Sequence, residues 1–343
     1  MSSIMIDEYM LTQPWTNSGA GTCVWSFAEK EGKEYFIKEF PAPTFPIAKD
    51  LSLQLRKKKE ERCFKFYVKK KCLYDEIAKC GNMNLIGMQE FFLYRSKYYL
   101  ITDKVIESNI TIEQVAKQSE TKKLRLLMRF AISLDALHQR HIIHGDIKPS
   151  NVLLQEDKEG EFIPKIIDFD AGFLEDQQPT KEEIVFDPSY VAPETEQYLG
   201  GDEIRLTTKV DVFAAGIIFH LYMTGISPNF EVAERWDSLG NKTEVLEPEL
   251  SNMLSSEMKD LIWSMLLPDP EVRISMSQVV ERLSSILYPP VLPPPPPPPP
   301  TPEDPAPEVS SKLIIRMGKK KDGTAKQTQN EVGDLQLTTK ACM

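Results

Sequence analysis

At 343 residues, 41% of them hydrophobic, the chain is long enough to bury a substantial core and to divide into two lobes. Its 51 acidic against 41 basic side chains leave a formal net charge of -10, which argues against nucleic acid as a partner, because binding that polyanion takes clustered cationic charge. The five cysteines, Cys23, Cys63, Cys72, Cys80 and Cys342, are odd in number and never spaced as CxxC, so neither a zinc site nor a disulfide framework is indicated.

The N-terminal MSSIMIDEYM lacks the basic start and apolar run of a secretion signal, which sets the expectation of a reducing cytoplasm. Residues 1–11 read as an extension before a domain spanning 12–287. In its first part, alternating and β-branched or aromatic runs predict strands over 23–28, 35–40, 88–94 and 98–102, with a turn around Gly32. Between them, 55–79 has helical character. Its basic run RKKKEERCFKFYVKKK (56–71) is punctuated by Phe64, Phe66 and Tyr67, the pattern of a helix with one buried side and a solvated charged face.

The boundary between two lobes is expected near residue 105. Beyond it, KKLRLLMRFAISLDALHQRH carries apolar residues at helical spacing, short strands follow at 152–154 and 165–167, and the remainder reads as mostly helical. The most apolar stretch, 212–223, contains His220 and is too short to span a bilayer, so a buried core helix and no membrane partner are expected. At 288–308, YPPVLPPPPPPPPTPEDPAPE forms a linker of polyproline II character, a spacer that also suits a partner with an aromatic groove. Residues 309–343 hold too few apolar side chains to order themselves and are expected to be a disordered tail.

The chemistry-bearing residues cluster in HIIHGDIKPSNVLL (141–154) and IIDFD (166–170). Moving a γ-phosphoryl group requires charge neutralisation and alignment more than covalent chemistry. Asp146 lies five residues before Asn151, and Asp168 follows a strand, so a loop can bring these three oxygen donors around one metal-bound phosphate.

At this point the sequence resembles the protein kinase family, over roughly residues 10 to 287. HGDIKPSN is similar to the family's catalytic loop, which implies Asp146 as the acceptor-orienting base, Lys148 on the γ-phosphate and Asn151 on a metal. DFD resembles the DFG motif, implying Asp168 as the main magnesium ligand, and YFIK resembles the VAIK strand, implying Lys38 on the α- and β-phosphates. APE stands at 192–194. DVFAAG implies that Asp211 holds the catalytic-loop backbone, and PDPEVR offers Arg273 as the partner of Glu194.

Aligning TNSGAGTCVW on Val24 puts Asn17, Gly19 and Thr22 at the family's three phosphate-loop glycine positions, where only the middle one matches, with Ala20 and Gly21 adding small residues and amide donors. YYLITDKV resembles the strand and hinge, implying Thr102 as gatekeeper and the backbone of 103–105, including Asp103 and Val105, against adenine. The implied fold is α+β and bilobal, a small antiparallel sheet lobe with one helix and a larger, mainly helical lobe. The implied activity is transfer of the γ-phosphate of ATP, with Mg²⁺, to serine or threonine of protein substrates, the preference resting on Lys148 two residues after Asp146.

Several positions depart from the family. Gly145 replaces an arginine that in many relatives pairs with a phosphorylated activation segment, and no basic pocket is evident for a phosphate on Thr180, Ser189 or Tyr190, so activity independent of that modification is expected. Asp170 stands where DFG has glycine. Asp187 occupies a position where serine/threonine-specific relatives usually carry threonine, and pairing with Lys148 is open to it. For the glutamate that should pair with Lys38 there are three candidates, Glu60, Glu61 and Glu76, of which Glu61 is favoured because it precedes an apolar helical face. His144 is expected to support the catalytic loop, and His138, His141 and His220 offer no metal spacing. HGD and IDFD also resemble the motifs of aminoglycoside or choline kinases, a reading opposed by Lys148, APE, Arg273 and DVFAAG. A nucleotide-binding pseudokinase scaffold acting through its proline tail is the third reading.

Overall fold

The structure is a computed structural model that describes residues 4–18, 23–47, 51–236 and 242–289, with the backbone alone at 232–246. Gly19, Ala20, Gly21, Thr22, Cys342, most of the proline-rich linker and the whole tail lie outside the described residues. The N-terminal lobe is an antiparallel sheet of β1 (Met5–Ile6), β2 (Tyr9–Leu11), β3 (Val24–Lys30), β4 (Lys33–Phe40), β5 (Met88–Tyr94) and β6 (Lys97–Asp103), in the order β1-β2-β3-β4-β6-β5. Glu31 and Gly32 close the β3–β4 hairpin with φ of 53° and 79°, the doubly positive turn whose twist matches paired strands.

The two N-terminal strands, in the stretch expected to be an extension, add a hairpin to the sheet edge. Tyr9 is buried there, stacks on Phe92 and donates to Glu90 Oε2 at 2.5 Å. Its neighbours on that face are Ala28, Ile37, Tyr99 and Ile101.

The other face of the sheet packs on α1 (Leu53–Ala78), capped by Ser52. Phe66 lies 5.4 Å from Phe40 and 5.3 Å from Tyr98, centroid to centroid. The helix buries Cys63, Lys70, Leu73, Tyr74 and Ile77, one stripe at helical spacing. Phe64, expected on the buried side, is 67% exposed, because it points a turn's fraction away from that stripe.

After β6 the chain enters the larger lobe. It contains α2 (Ile112–Ala116), α3 (Glu120–His138), β7 (Ile142–Ile143), β8 (Val152–Glu156), β9 (Phe162–Ile166), β10 (Phe173–Leu174), α4 (Pro193–Gly200), α5 (Lys209–Thr224), β11 (Asn229–Trp236), β12 (Lys242–Glu249), α6 (Ser256–Met265) and α7 (Met276–Leu287). From Val210 to Thr224, every residue of α5 is buried, as its nearly continuous apolar sequence requires. A Cβ on Gly216 would lie 2.9 Å from Leu266 Cδ2, so glycine sets how closely α5 approaches the end of α6. The β11–β12 hairpin falls in a region expected to be mostly helical; its strands pair in register from Asn229↔Glu249 to Trp236↔Lys242.

Two short antiparallel pairs, β8–β9 and β7–β10, frame the loops that carry the chemistry. The segment preceding β5 ties the lobes together, with Ile86 N donating to Ile166 O at 2.9 Å and Ile166 N to Asn84 O at 2.8 Å. That bridge brings the end of β9, and with it Asp168, beneath the sheet. Among the described residues no helix is long and apolar enough to cross a membrane.

Candidate active site

The loop between β7 and β8 is shaped by hydrogen bonds to its own backbone. Asp211, at the start of α5, accepts from His144 N at 2.8 Å and Gly145 N at 2.9 Å, and His138 Nε2 lies 3.2 Å from the same carboxylate. The His144 ring is buried, with Nδ1 accepting from Asp146 N at 3.3 Å and Nε2 3.0 Å from Ile167 O, which ties the catalytic loop to the strand end leading to Asp168. Gly145 has φ of 75°, and a Cβ there would stand 2.9 Å from Ala171 O. The arginine of other family members cannot be accommodated without moving that carbonyl.

Asn151 donates through Nδ2 to Asp146 O at 2.7 Å and Asp146 Oδ2 at 3.0 Å. Its planar amide therefore turns Oδ1 away from Asp146 as a free-standing acceptor direction. Lys148 Nζ pairs with Asp146 Oδ2 at 2.8 Å. The pairing of Lys148 with Asp187 left open by the sequence is not made; Asp187 Oδ1 instead accepts from Ser189 N at 3.0 Å, closing its own local turn.

Between the sheet and these loops lies a cavity of about 350 Å³, within the range of small-ligand sites. Trp25, Phe27 and Phe36 form an aromatic wall, Trp25 and Phe36 stacking at 5.4 Å. Lys38, Thr102, Asp103, Val105, Asn151 and Asp168 line it as well, so six of the residues singled out in the sequence converge on one space. Asp146 and Lys148 stand beside it through Asn151. Asn17 is exposed and Val24 half-buried, and neither lines the cavity; next to them, Thr16 and Trp25 exchange backbone hydrogen bonds and Trp25 Nε1 donates to Ser18 O at 2.8 Å. Asp103 is engaged at the rim by Lys33 and Gln89, each at 2.8 Å.

Lys38 sits at the back of the cavity, 4% exposed. Its Nζ is 2.9 and 3.0 Å from the two Asp168 oxygens and 2.7 Å from Asp170 Oδ2. Burial alone would lower the pKa of this amine, but the Asp170 and Asp168 carboxylates outweigh it and raise the pKa above its usual value. Asp168 adopts a left-handed backbone, φ 62° and ψ 72°, which aims its side chain back into the cavity.

Helix α1 does not supply the glutamate expected for Lys38. Glu61 is 64% exposed and pairs with Lys65 one turn away, and Glu76 is held by Lys79 and Arg140. In place of a glutamate, α1 presents Lys70, whose Nζ donates to Asp170 O at 2.8 Å and Oδ1 at 3.2 Å. Burial would raise the Asp170 pKa, and the two lysines more than offset this and lower it. The sequence signal for Lys70 is its spacing: it stands seven residues after Cys63 and seven before Ile77, on the buried stripe.

No basic pocket for a phosphate on Thr180, Ser189 or Tyr190 is evident in the sequence; the structure places a basic groove of α1 beside the segment between Asp168 and Glu194, one of its lysines already paired. Lys58, Arg62, Lys65 and Lys69 of α1 line a groove beside Glu183, and Lys69 pairs with Glu183 at 2.9 Å. The segment is further held by Tyr198 donating to Pro179 O at 2.6 Å and by Gln178 bonded to both backbone groups of Leu206. Its C-terminal anchor is Glu194, bound by both terminal nitrogens of a buried Arg273.

The protein kinase domain family matches residues 52–283. The chain is 27% identical over 210 residues to myosin light chain kinase A of Dictyostelium discoideum, covering 60% of this chain and 69% of that protein. It is 27% identical over 207 residues to calcium-dependent protein kinase 4 of Plasmodium falciparum (58% of this chain, 38% of that protein). Over 208 residues it is 27% identical to CBL-interacting serine/threonine-protein kinase 16 of Arabidopsis thaliana (57% and 42%). It therefore spans well under half of the latter two. With its bilobal fold, its catalytic loop and the family match over most of the domain, the chain belongs to the protein kinase family.

Proposed function

We propose that the chain transfers the γ-phosphate of ATP, in the presence of Mg²⁺, to serine or threonine hydroxyls of protein substrates. The observation that carries this is the convergence of Lys38, Asp168 and Asn151 on one cavity, with Asp146 and Lys148 at its side. In this reading the aromatic wall of Trp25, Phe27 and Phe36 and the backbone of 103–105 receive the adenine. Lys38 neutralises phosphate oxygens from the back of the cavity. Asp146, accepting at one carboxylate oxygen from Asn151 and Lys148, orients the acceptor hydroxyl and takes its proton as the oxygen–phosphorus bond forms and the bond from the γ-phosphorus to the β–γ bridging oxygen breaks, releasing ADP. Lys148 then screens charge on the transferred group.

The donor set fits Mg²⁺. Among the described residues no group of three His, Cys, Asp or Glu side chains could hold a metal ion by itself. The Asp168 carboxylate and Asn151 Oδ1 would supply two oxygens, leaving phosphate and water to complete the shell, as this cation prefers. When bound, the cation supplies charge neutralisation at the phosphates.

Serine/threonine preference is supported by Lys148 two residues after Asp146 and by the similarity to a serine/threonine-protein kinase of Arabidopsis thaliana. Independence from activation-segment phosphorylation is supported by the ties that already hold the segment: the Thr180 cap on 181–183, the Lys69–Glu183 pair and the Glu194–Arg273 pair.

The test is incubation of purified protein with labelled ATP, Mg²⁺ and a generic basic protein, followed by mass-spectrometric mapping of the acceptor, before and after phosphatase treatment of the enzyme. Label on serine or threonine, unchanged by phosphatase, is expected. Turnover only with small alcohols or amines would replace this reading by a small-molecule phosphotransferase, and nucleotide binding without transfer by a pseudokinase scaffold.

A further inference from the structure

The cluster around Lys38 contains a buried cation, Lys70, that the proposed chemistry does not use. A lysine on the buried stripe of a helix is costly to desolvate, and it is retained in native structures where a specific partner compensates. That partner is Asp170, which Lys70 holds through both the side chain and the backbone carbonyl. Asp170 in turn reaches Lys38 at 2.7 Å, so one carboxylate bridges two amines, one from the sheet and one from the helix. One turn beyond Lys70 on α1, Tyr74 packs edge-on against Phe169 at 6.1 Å. The helix therefore grips segment 168–170 at two points on the same face.

We propose that the link between helix α1 and the nucleotide lysine is inverted in charge in this protein: the helix contributes the cation Lys70, and Asp170 is the positioning carboxylate for Lys38. The inversion accounts for the acid at position 170, where the family motif has glycine. It also divides the work of two neighbouring carboxylates. With no glutamate from α1, Asp168 would be the sole anion on Lys38 and would have to serve a cation as well. With Asp170 present, Asp168 can turn toward a metal while Lys38 keeps its partner, and a shift of α1 pulls on Asp170 and so on Lys38.

The inference rests on the role given to Lys38 under the proposed function, and its test separates the two. Asp170→Asn, Lys70→Met, their double variant, Lys70→Glu and Lys70→Glu/Asp170→Gly are compared with wild type. Each is measured for unfolding, for Mg²⁺-ATP affinity by the fluorescence of the cavity tryptophan Trp25, and for kcat and KM in transfer. Asp170→Asn and Lys70→Met should each lower kcat/KM for ATP about tenfold or more, their double variant should be little worse than either single, and Lys70→Glu should be worse still. Lys70→Glu/Asp170→Gly should recover much of the loss of Lys70→Glu, because it returns a single carboxylate to Lys38, a rescue that a merely structural role would not produce.

Single variants as active as wild type, or singles whose losses simply add, would overturn the inference. Should wild type bind nucleotide without transferring phosphate, the proposed function fails and the same comparison of dissociation constants decides the inference. Should wild type bind none, the coupling between Lys70→Met and Asp170→Asn in unfolding decides it, and additive singles overturn it.

Discussion

Arg273 donates to both carboxylate oxygens of Glu194, at 2.6 and 2.9 Å, and its remaining hydrogen bonds go to the backbone carbonyls of Leu267, Pro268 and Lys209. The arginine side chain is 0% exposed, so truncating either partner leaves an uncompensated charge in the core. Glu194→Ala and Arg273→Ala should each cost about 3–5 kcal/mol, read as a lowered midpoint in urea unfolding. The double variant should cost much less than the sum of the two.

Asp211 fixes the catalytic loop by accepting from two consecutive amides. Asp211→Asn keeps the side chain's shape but replaces one accepting oxygen by a donor, so one of those amides loses its partner. The loop carrying Asp146 shifts by a fraction of an ångström, and misplacement on that scale costs up to about 10²-fold in rate. A fall in kcat with near-normal nucleotide affinity, measured by steady-state kinetics and equilibrium binding, is the expected outcome.

Restoring the family arginine at position 145 should not help. The left-handed backbone and the 2.9 Å approach to Ala171 O penalise any side chain there. Gly145→Ala and Gly145→Arg should both destabilise the protein by about 1–3 kcal/mol and lower transfer in parallel. Thermal unfolding of the two variants side by side checks this, and an arginine variant more active than the alanine one would point to a recoverable phosphate-pairing role instead.

His220 is a buried acid-sensitive point. Nδ1 is 2.8 Å from Ile226 O and Nε2 accepts from Ser251 N at 3.0 Å, so the neutral ring satisfies both nitrogens. Burial lowers its pKa below the ordinary 6.5, against a smaller opposing effect of the Ile226 carbonyl. The unfolded chain thus binds a proton that the folded chain refuses. The stability associated with His220 is fully present above pH 6.5 and declines as pH falls below it, by at most about 1.4 kcal/mol per pH unit until the lowered folded pKa is reached. Chemical denaturation at pH 7.5 and 5.5 should show this slope in wild type, and His220→Gln should flatten it.

Much of the candidate site is legible because its residues lie in short contiguous motifs: Asp146, Lys148 and Asn151 share one loop, and Asp168 follows one strand. Lys38, Thr102 and Val105 could be placed because alternating strands on either side fix their neighbours. What failed were partnerships across long stretches of chain. Glu61 looked suitable from local pattern, yet the acid for Lys38 comes from position 170, and only packing of α1 on that segment decides it. Lys70 was hidden among eight other basic residues in its run, although its seven-residue spacing to Cys63 and Ile77 marked it. The hairpins at 5–11 and 229–249 escape the sequence because strands of two or three residues carry no readable period, and because the charged residues scattered along β11 and β12 look like solvated chain.

The most direct measurement is single-turnover transfer of the γ-phosphate from labelled ATP with Mg²⁺, run on wild type, Asp146→Asn and Asp168→Asn. Wild type should label substrate. Asp146→Asn should transfer about 10²-fold or more slowly while binding nucleotide with little change, and Asp168→Asn should lose transfer together with the Mg²⁺ dependence of binding. Transfer by both variants at the wild-type rate would contradict the account, since the chemistry would then lie away from the cavity that Asp168 lines and Asp146 adjoins.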